Sequence, residues 1–369
     1  MFDKLMKIKN GLNGKFFERE EVVEALIIAL LSRQHMLLIG PAGTAKSALS
    51  AELAKIVQGA GYYQWLLTRF TTPEELFGPL SLKELENGIY KRNTADKMPE
   101  AHLVFLDEIF KSNSAILNSL LTLINERIFY NNGSPVPVPL MTIVGSSNEY
   151  PEEDEGLEAL FDRFLLRFEL DYIGEQQHFI SMLKGEGQDG TLPSMSLDEL
   201  RQFQFYSDMV DIPQEVYQTL SEVRKKLKDE GVHPSDRRFK QSLGLLRAKA
   251  LINQRQQVKV EDVLLLSYAL WENPDQKEVV TQIVKENAQD GVSSKLEDIG
   301  TECAEILKNV QEDDSTDMSL EATEKLKALK QQLKSLSGRN PDREEDIEPV
   351  KSKVQVGLDQ VANTVLGGV

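Results

Sequence analysis

The stretch that most constrains this chain is LLIGPAGTAKSALS, residues 37–50, in which a glycine-containing loop joins an apolar strand to a helix. It follows the phosphate-loop pattern G-x-x-x-x-G-K-[ST], except that Ala45 stands where the pattern has glycine. Backbone N–H groups of such a loop and the N-terminus of its helix bind phosphate oxygens. One methyl group at position 45 is a small steric change if the residue takes a conformation open to L-amino acids. We therefore interpret the loop as an intact nucleotide site.

Each part of this loop has an expected task. Lys46 is expected to reach the β and γ phosphates of ATP, and the Ser47 hydroxyl is expected to bind Mg²⁺. The residues predicted to contact the nucleotide are Gly40, Pro41, Ala42, Gly43, Thr44, Ala45, Lys46 and Ser47.

A second motif, LVFLDE at residues 103–108, places two acids directly after four apolar residues. An apolar strand in this position is expected to place Asp107 among the ligands of Mg²⁺. Glu108 is then expected to orient and deprotonate the water that attacks the γ phosphate. A buried strand that merely ends in solvated acids is the alternative. The phosphate loop upstream counts against that alternative.

A third strand pattern, MTIVGSSNEY at residues 141–150, ends in the polar Asn148. At the end of a strand beside the acidic pair, an amide can position the water, although Ser-Asn after a strand is also an ordinary turn. Strands that alternate with helices in this region predict an α/β fold with a parallel, doubly covered sheet.

The organisation of the chain changes after residue 173, where the strand signal fades. The predicted helices are 174–184, 197–209, 213–230, 236–254, 260–271 and 276–287. We predict a nucleotide-binding core in residues 1–173, an all-α domain in 174–289 and a helical tail in 290–369. In the tail, we predict an acidic linker at residues 311–319 that leads into a helix. Leucines 326, 329, 333 and 336 of this helix form a seam that fits packing on the all-α domain or docking of another chain.

Composition excludes several classes of function. The net charge of −17 argues against a broad nucleic-acid-binding face, which needs clustered Lys and Arg. One cysteine, Cys303, and four scattered histidines argue against a structural zinc site. The N-terminus does not read as a signal peptide, and the apolar run at residues 22–31 is too short to span a bilayer. We therefore expect a soluble, cytoplasmic protein without an integral membrane segment.

Taken together, the motifs resemble the MoxR-type AAA+ ATPases. The resemblance rests on GPAGTAKS, FLDEIFKSNSAILNSLLTLINER, SSNEYPE and LEALFDRFLLRFEL, and it covers about residues 15–285. TRFTTPEELFGPLS and PSDRRFKQSLGLLRA bring it close to the RavA branch. The resemblance implies an αβα ATPase core and a hexameric ring. It identifies the predicted all-α domain as an α-helical lid. Alanine before the phosphate-loop lysine is usual in this family.

The resemblance also assigns roles to residues outside the first two motifs. Asn148 matches sensor 1. Arg163 in LFDRF matches the arginine finger that enters the neighbouring subunit's ATP site, with Arg167 as the reserve candidate. Arg237 in SDRR matches sensor 2 on the lid, with Arg238 as its alternative, so nucleotide binding is expected to close the lid on the core.

Two insertions match the branch of AAA+ proteins that carries a helix-2 insert and a hairpin before sensor 1. The first is the segment around TTPEELFGPLSLKELENGIYKR, for which we expect short strands near ENGIYKR, and the second is a hairpin turning at Asn132-Gly133. In that branch such elements contact substrates at the pore, and plain surface hairpins are the alternative here.

The function implied is chaperone-like remodelling of protein complexes with a partner that carries a von Willebrand factor A (VWA) domain. A nucleic-acid motor and a slow nucleotide-gated scaffold are the competing hypotheses. The insertions carry no conspicuous basic cluster, which weakens the motor hypothesis. RavA-type proteins have a longer C-terminal part with a small β-rich insertion, so a partner-binding activity tied to that insertion is not transferred.

Overall fold

The computed structural model describes residues 2–151, 157–186, 192–289, 291–312, 316–339 and 343–367. They form two compact units, residues 1–284 and 285–369. The strands are β1 (Met36–Ile39), β2 (Val57–Gln58), β3 (Tyr62–Leu66), β4 (Leu103–Asp107), β5 (Ile128–Asn131), β6 (Ser134–Pro137), β7 (Thr142–Ser147), β8 (Leu166–Glu169) and β9 (Met195–Ser196).

A five-stranded parallel sheet in the order β3-β4-β7-β1-β8 forms the centre of the first unit. The strand β1 is buried along its whole length, as expected for a strand covered on both faces. Because all five strands run the same way, their carboxyl ends meet at one side of the sheet, which we call the carboxyl edge. The opposite side is called the amino edge.

The predicted parallel sheet is confirmed, and the sequence missed one of its strands. The strand β3 at the end of the sheet has mixed burial and pairs only with β4. A strand that is half exposed lacks the continuous apolar run that marks β1 and β4.

The helices of the first unit cover the sheet and build the lid, and the last of them crosses into the second unit. They are α1 (Phe2–Lys15), α2 (Glu20–Ser32), α3 (Lys46–Ile56), α4 (Pro73–Phe77), α5 (Leu82–Leu85), α6 (Ser114–Glu126), α7 (Glu158–Phe161), α8 (Gln176–Leu183), α9 (Leu197–Asp208), α10 (Gln214–Asp229), α11 (Asp236–Ile252) and α12 (Lys277–Ala288). Short 3-10 helices cover Met98–Glu100, Ile109–Lys111, Val260–Tyr268 and Pro274–Gln276.

The lid region is helical as predicted, with one difference. Residues 260–268 form a 3-10 helix where an α-helix was expected. The lid is fixed to the core through α2, which packs against α9 and α11. There, Lys249 Nζ on α11 donates to Glu24 Oε1 on α2 at 2.6 Å.

The first insertion is more helical than the sequence suggested. Thr72 and Glu75 form a capping box that starts α4. In place of the short strands expected near ENGIYKR, α5 and a turn lead to a single antiparallel bridge between Leu80 and Arg92.

The predicted hairpin at Asn132-Gly133 is confirmed as β5–β6. Asn132 and Gly133 have φ angles of 54° and 72°, the positive values that a type I′ turn requires at both central residues.

The second unit is a bundle of three helices, α13 (Gly291–Glu312), α14 (Thr316–Arg339) and α15 (Glu344–Gly367). The sequence missed α13 and predicted a linker at residues 311–319, of which 313–315 lie outside the described residues. Leu326, Leu329 and Leu333 are buried against α13 and α15, beside Cys303 and Ile347. The leucine seam thus packs within the tail itself. The two arrangements expected from the sequence, packing on the all-α domain and docking of another chain, do not describe this packing.

Within the described ranges, no helix combines the length and the apolar character needed to cross a bilayer.

Candidate nucleotide site

The phosphate loop leaves β1 at the carboxyl edge of the sheet. Gly40 has φ 156°, and a Cβ there would lie 2.1 Å from the carbonyl oxygen of Leu170, so no other residue fits this approach. Gly43 has φ 87°, and the Thr44 hydroxyl donates to the Pro41 carbonyl at 2.9 Å, which closes the turn. The helix α3 begins at Lys46, as predicted.

Ala45 differs from expectation. It has φ 68° and ψ 17°, the left-handed conformation, rather than one that L-residues adopt freely. This conformation costs an L-residue about 1–2 kcal/mol, which explains why the general pattern prefers glycine. The loop therefore keeps its shape with alanine and holds some backbone strain.

Lys46 is buried, and its ammonium group points back over the loop. Its Nζ donates to the carbonyls of Gly40 at 2.5 Å and Pro41 at 2.9 Å, and to Asn148 Oδ1 at 3.1 Å. Burial lowers the pKa of this ammonium from its ordinary value, while the carboxylates of Asp107 and Glu108 oppose the shift. The two acids of the second motif are therefore electrostatic neighbours of the loop lysine.

The acidic pair lies at the carboxyl end of β4. Asp107 Oδ1 accepts from the Ser146 hydroxyl at 2.5 Å and from the Glu108 amide at 3.1 Å. Glu108 has φ 53°, a left-handed conformation in a residue that is not glycine. Strain of this kind persists only where the surroundings fix it, and it is commonly found in active sites. The two successive carboxylates have different partners, since Asp107 accepts from Ser146 and Glu108 accepts from Asn148.

Asn148 connects the lysine to the glutamate. Its Oδ1 accepts from Lys46, and its Nδ2 donates to Glu108 Oε1. Lys111 Nζ lies 3.2 Å from Glu108 Oε2 without a hydrogen bond. The structure thus brings Lys46, Glu108 and Asn148 into one hydrogen-bonded chain beside Asp107.

Ser146 is a site residue that sequence reasoning missed. It lies on β7, one residue beyond the pairing of Leu106 with Gly145, so it stands next to Asp107. A polar residue inside a buried strand, at the register of the acidic pair, is the signal that could have identified it.

The side chains present fit a magnesium ion that arrives with a nucleotide. Ser47 is exposed on the first turn of α3, and Asp107 supplies a carboxylate, both of them oxygen donors. Mg²⁺ usually takes one or two protein oxygens together with substrate phosphates and water. In keeping with this, the described residues contain no cluster of three or more His, Cys, Asp or Glu that could hold a metal by itself.

The two predicted catalytic arginines lie away from this network. Arg163 precedes β8, and its Nη1 donates to Asp162 Oδ2 at 3.3 Å while its Nε has no partner. Arg237 on α11 donates to Asn125 Oδ1 on α6 at 2.8 Å. Burial, and after it the charge of Arg237, lowers the pKa of Arg163.

Both arginines are located at the amino edge of the sheet. His35 immediately precedes β1, and its Nε2 lies 3.3 Å from the carbonyl oxygen of Ile124, the residue before the Asn125 that Arg237 bonds. The four residues of β1 lie between His35 and Gly40, so the Cα atoms of these two residues are five steps apart, about 16 Å at 3.3 Å per residue. Arg237 is thus near the end of β1 that lies farthest from its own phosphate loop.

The two alternative arginines have structural contacts. Arg167 is buried, donates to the carbonyls of Phe161, Phe164 and Trp271, and lies 4.1 Å from the centre of the Phe161 ring.

Arg238 is also buried. Its guanidinium bonds Asp162 Oδ1 at 2.7 Å and the Ala269 carbonyl at 2.5 Å. Arg167 and Arg238 therefore connect the lid and the core, whereas the contact of Arg237 with Asn125 is exposed.

Comparisons with known sequence families match both parts of the first unit. The family described as the MoxR domain of MoxR–vWA–β-propeller ternary systems matches residues 3–202. An AAA lid domain family matches residues 215–284. Placement in the RavA branch stays a prediction.

Individual proteins agree with this assignment. The uncharacterized protein MJ0079 of Methanocaldococcus jannaschii is 37% identical over 309 residues, covering 84% of this chain and 79% of that protein. The chaperone MoxR1 of Mycobacterium tuberculosis is 27% identical over 158 residues, covering 42% of this chain and 41% of that protein. The crystal structure of an inferred ATPase from Cytophaga hutchinsonii shares the fold, with a TM-score of 0.62 at 18% identity, covering 78% of this chain and 93% of that one. The chain therefore belongs to the MoxR-type AAA+ ATPase family.

Proposed function

We propose that this protein hydrolyses ATP with Mg²⁺ in sites completed between subunits, and uses the energy to remodel protein complexes. The observation that carries the proposal is the hydrogen-bonded chain from Lys46 through Asn148 to Glu108, beside Asp107. It joins a phosphate-binding cation to a carboxylate base through an amide, the groups needed for attack of water on a γ phosphate.

The roles follow from the contacts. Lys46 exchanges its loop carbonyl acceptors for phosphate oxygens when ATP binds. Glu108 takes a proton from water, and Asn148 orients the base and the water relative to the phosphate. Ser47 and Asp107 would hold Mg²⁺, which would supply positive charge to the phosphate oxygens.

The arginines support a composite site. Because Arg163 and Arg237 lie at the amino edge while the phosphate loop lies at the carboxyl edge, we assign both to the ATP bound by a neighbouring copy. For Arg237 this replaces the expectation that it closes over its own nucleotide. An arginine supplied in this way increases the rate by about 10³–10⁵ in other phosphoryl-transfer enzymes. The proposal requires a head-to-tail oligomer, for which a hexameric ring is the family expectation.

The work done by hydrolysis is inferred from the matched family. Its description names vWA and β-propeller components, so we propose a VWA-domain protein as the partner and chaperone-like remodelling as the activity. Net charge of −17 continues to count against a nucleic-acid motor.

Two variants test the core of the proposal. Lys46→Ala is expected to abolish binding of a fluorescent ATP analogue, whereas Lys55→Ala on the exposed face of the same helix is the matched control and leaves binding unchanged. Glu108→Gln is expected to bind ATP but to lose about 10²–10⁴ of the hydrolysis rate. Wild-type turnover by Glu108→Gln would refute the assignment of the base.

A further inference from the structure

Two groups of large apolar side chains are exposed in the described part of the first unit. The first, which we call the α8 surface, consists of Phe179, Ile180 and Leu183, and Leu183 is 68% exposed. The second, the α9 surface, consists of Phe205 and Met209, which are 60% and 67% exposed. Large apolar side chains grouped at a surface mark contact sites for other proteins.

The α8 surface lies at the carboxyl edge of the sheet. The chain reaches α8 directly from the end of β8, where the Leu170 amide donates to the Ile39 carbonyl at 2.7 Å, one residue before Gly40. The amides of Gly174 and Glu175 then donate to Glu18 at 2.8 and 2.9 Å, which fixes the start of α8. This surface is therefore on the side of the molecule that holds the phosphate loop.

The α9 surface lies at the amino edge. Gln204 Nε2, one residue before Phe205, donates to the Leu30 carbonyl at 2.9 Å near the end of α2. Asp208 accepts from Arg33 at 3.0 Å, and Arg33 lies three residues before the start of β1. This surface therefore shares the side of the molecule that carries Arg163.

We infer that the α8 surface of one copy docks on the α9 surface of the next copy of this chain. A head-to-tail contact requires two different surfaces that fit each other, and repetition of one such contact closes a ring or extends a filament. The contact brings the arginine-bearing edge of one copy to the phosphate loop of its neighbour, opposite the acidic pair Asp107 and Glu108. The inference rests on the proposed function, because a catalytic site shared between two subunits makes a second copy of this chain the partner of the α8 and α9 surfaces.

The test uses one charge substitution on each surface of the full chain. Leu183→Glu and Met209→Glu are each expected to remain folded and to lose assembly and ATPase activity. Leu320→Glu, at an exposed leucine on α14, is the matched control and keeps both. Mass photometry of an equimolar mixture of the two variants is expected to show a dimer, twice the subunit mass of 41.6 kDa, because one intact surface remains on each partner.

The dimer also has a predicted direction. Its single complete site uses the phosphate loop of the Met209→Glu subunit and Arg163 of the Leu183→Glu subunit. Adding Arg163→Ala to the Leu183→Glu subunit is expected to abolish the ATPase activity of the dimer, while adding it to the other subunit leaves that activity intact.

Three results overturn the inference. Wild-type assemblies of either variant alone show that the surface is not used, and dimers of one variant alone show a symmetric contact. Absence of a dimer in the mixture shows that the two surfaces do not meet. If Arg163→Ala loses ATPase activity while Leu183→Glu still assembles, the proposed function is retained and only the docking surfaces are rejected. If Arg163→Ala keeps full ATPase activity, the composite site itself is rejected.

Discussion

His35, directly before β1, gives a stability prediction that can be worked from its contacts. The ring is buried, its Nδ1 accepts from the Ile143 amide at 3.0 Å, and its Nε2 lies 3.3 Å from the Ile124 carbonyl oxygen. An amide can only donate and a carbonyl can only accept, so the neutral ring with its proton on Nε2 satisfies both partners. Protonation of Nδ1 would break the first bond and place a charge in the core.

The pKa of His35 is correspondingly lowered to about 3, by burial first and by Arg127 second. In the unfolded chain the ring takes up a proton below a pKa of about 6.5, whereas the folded chain does not do so until near pH 3. Stability from this residue is therefore complete above about pH 6.5 and is lost as the pH falls toward 3. At pH 5 the unfolded ring is about 1.5 units below its pKa, which at about 1.36 kcal/mol per unit costs about 2 kcal/mol.

Urea unfolding at about pH 7.5 and about pH 5 measures this term. His35→Gln removes the titrating ring, so its free energy of unfolding is expected to fall about 2 kcal/mol less than that of the wild type between the two pH values. His233→Gln, at an exposed ring that is solvated in both states, is the matched control and is expected to follow the wild type. Equal losses for His35→Gln and the wild type would refute the reasoning that the core holds this ring neutral.

Other predictions concern the lid and the nucleotide loop. Arg238→Ala is expected to lower the free energy of unfolding by about 3 kcal/mol, because the buried guanidinium loses its hydrogen bonds to the partly exposed Asp162 and to the Ala269 carbonyl. Arg237→Ala is expected to change it little, and equal thermal melts of the two variants would contradict this. Ala45→Gly is expected to be tolerated. Ala45→Val is expected to destabilise the protein by about 1–2 kcal/mol, because a β-branched residue is strained at positive φ, and an unchanged thermal melt of Ala45→Val would contradict this prediction. Ser146→Ala is expected to raise the Mg²⁺ concentration that gives half-maximal ATPase activity roughly 10-fold, because Asp107 loses the hydroxyl that orients it. An unchanged Mg²⁺ titration of ATPase activity would show that the hydroxyl has no such role.

The sequence predicted the features of the site that depend on local pattern. The phosphate loop and the acidic pair follow apolar strands within a few residues, so their placement at the carboxyl edge follows from a parallel sheet alone. The hairpin at residues 132–133 was predictable for the same reason, since its turn type is set by the two residues themselves.

The features that depend on packing were not predictable in this way. The left-handed backbone of Ala45 is imposed by the surrounding loop rather than by its own preference. The position of Arg237 depends on how the lid packs against α2 and α6, and no local motif records that packing. The apolar positions of α13, which was missed, are buried against the two other helices of the tail.

The central claim is that each catalytic site combines Glu108 of one subunit with Arg163 of another. The most direct measurement mixes two variants, Glu108→Gln and Arg163→Ala, each inactive alone, and follows ATPase activity with co-assembly verified by mass photometry. With equal amounts of the two variants, ATPase activity is expected to recover to at most about a quarter of the wild-type rate. Random assembly joins an intact Glu108 to an intact Arg163 at about one subunit interface in four. Verified co-assembly without any recovery would contradict the claim.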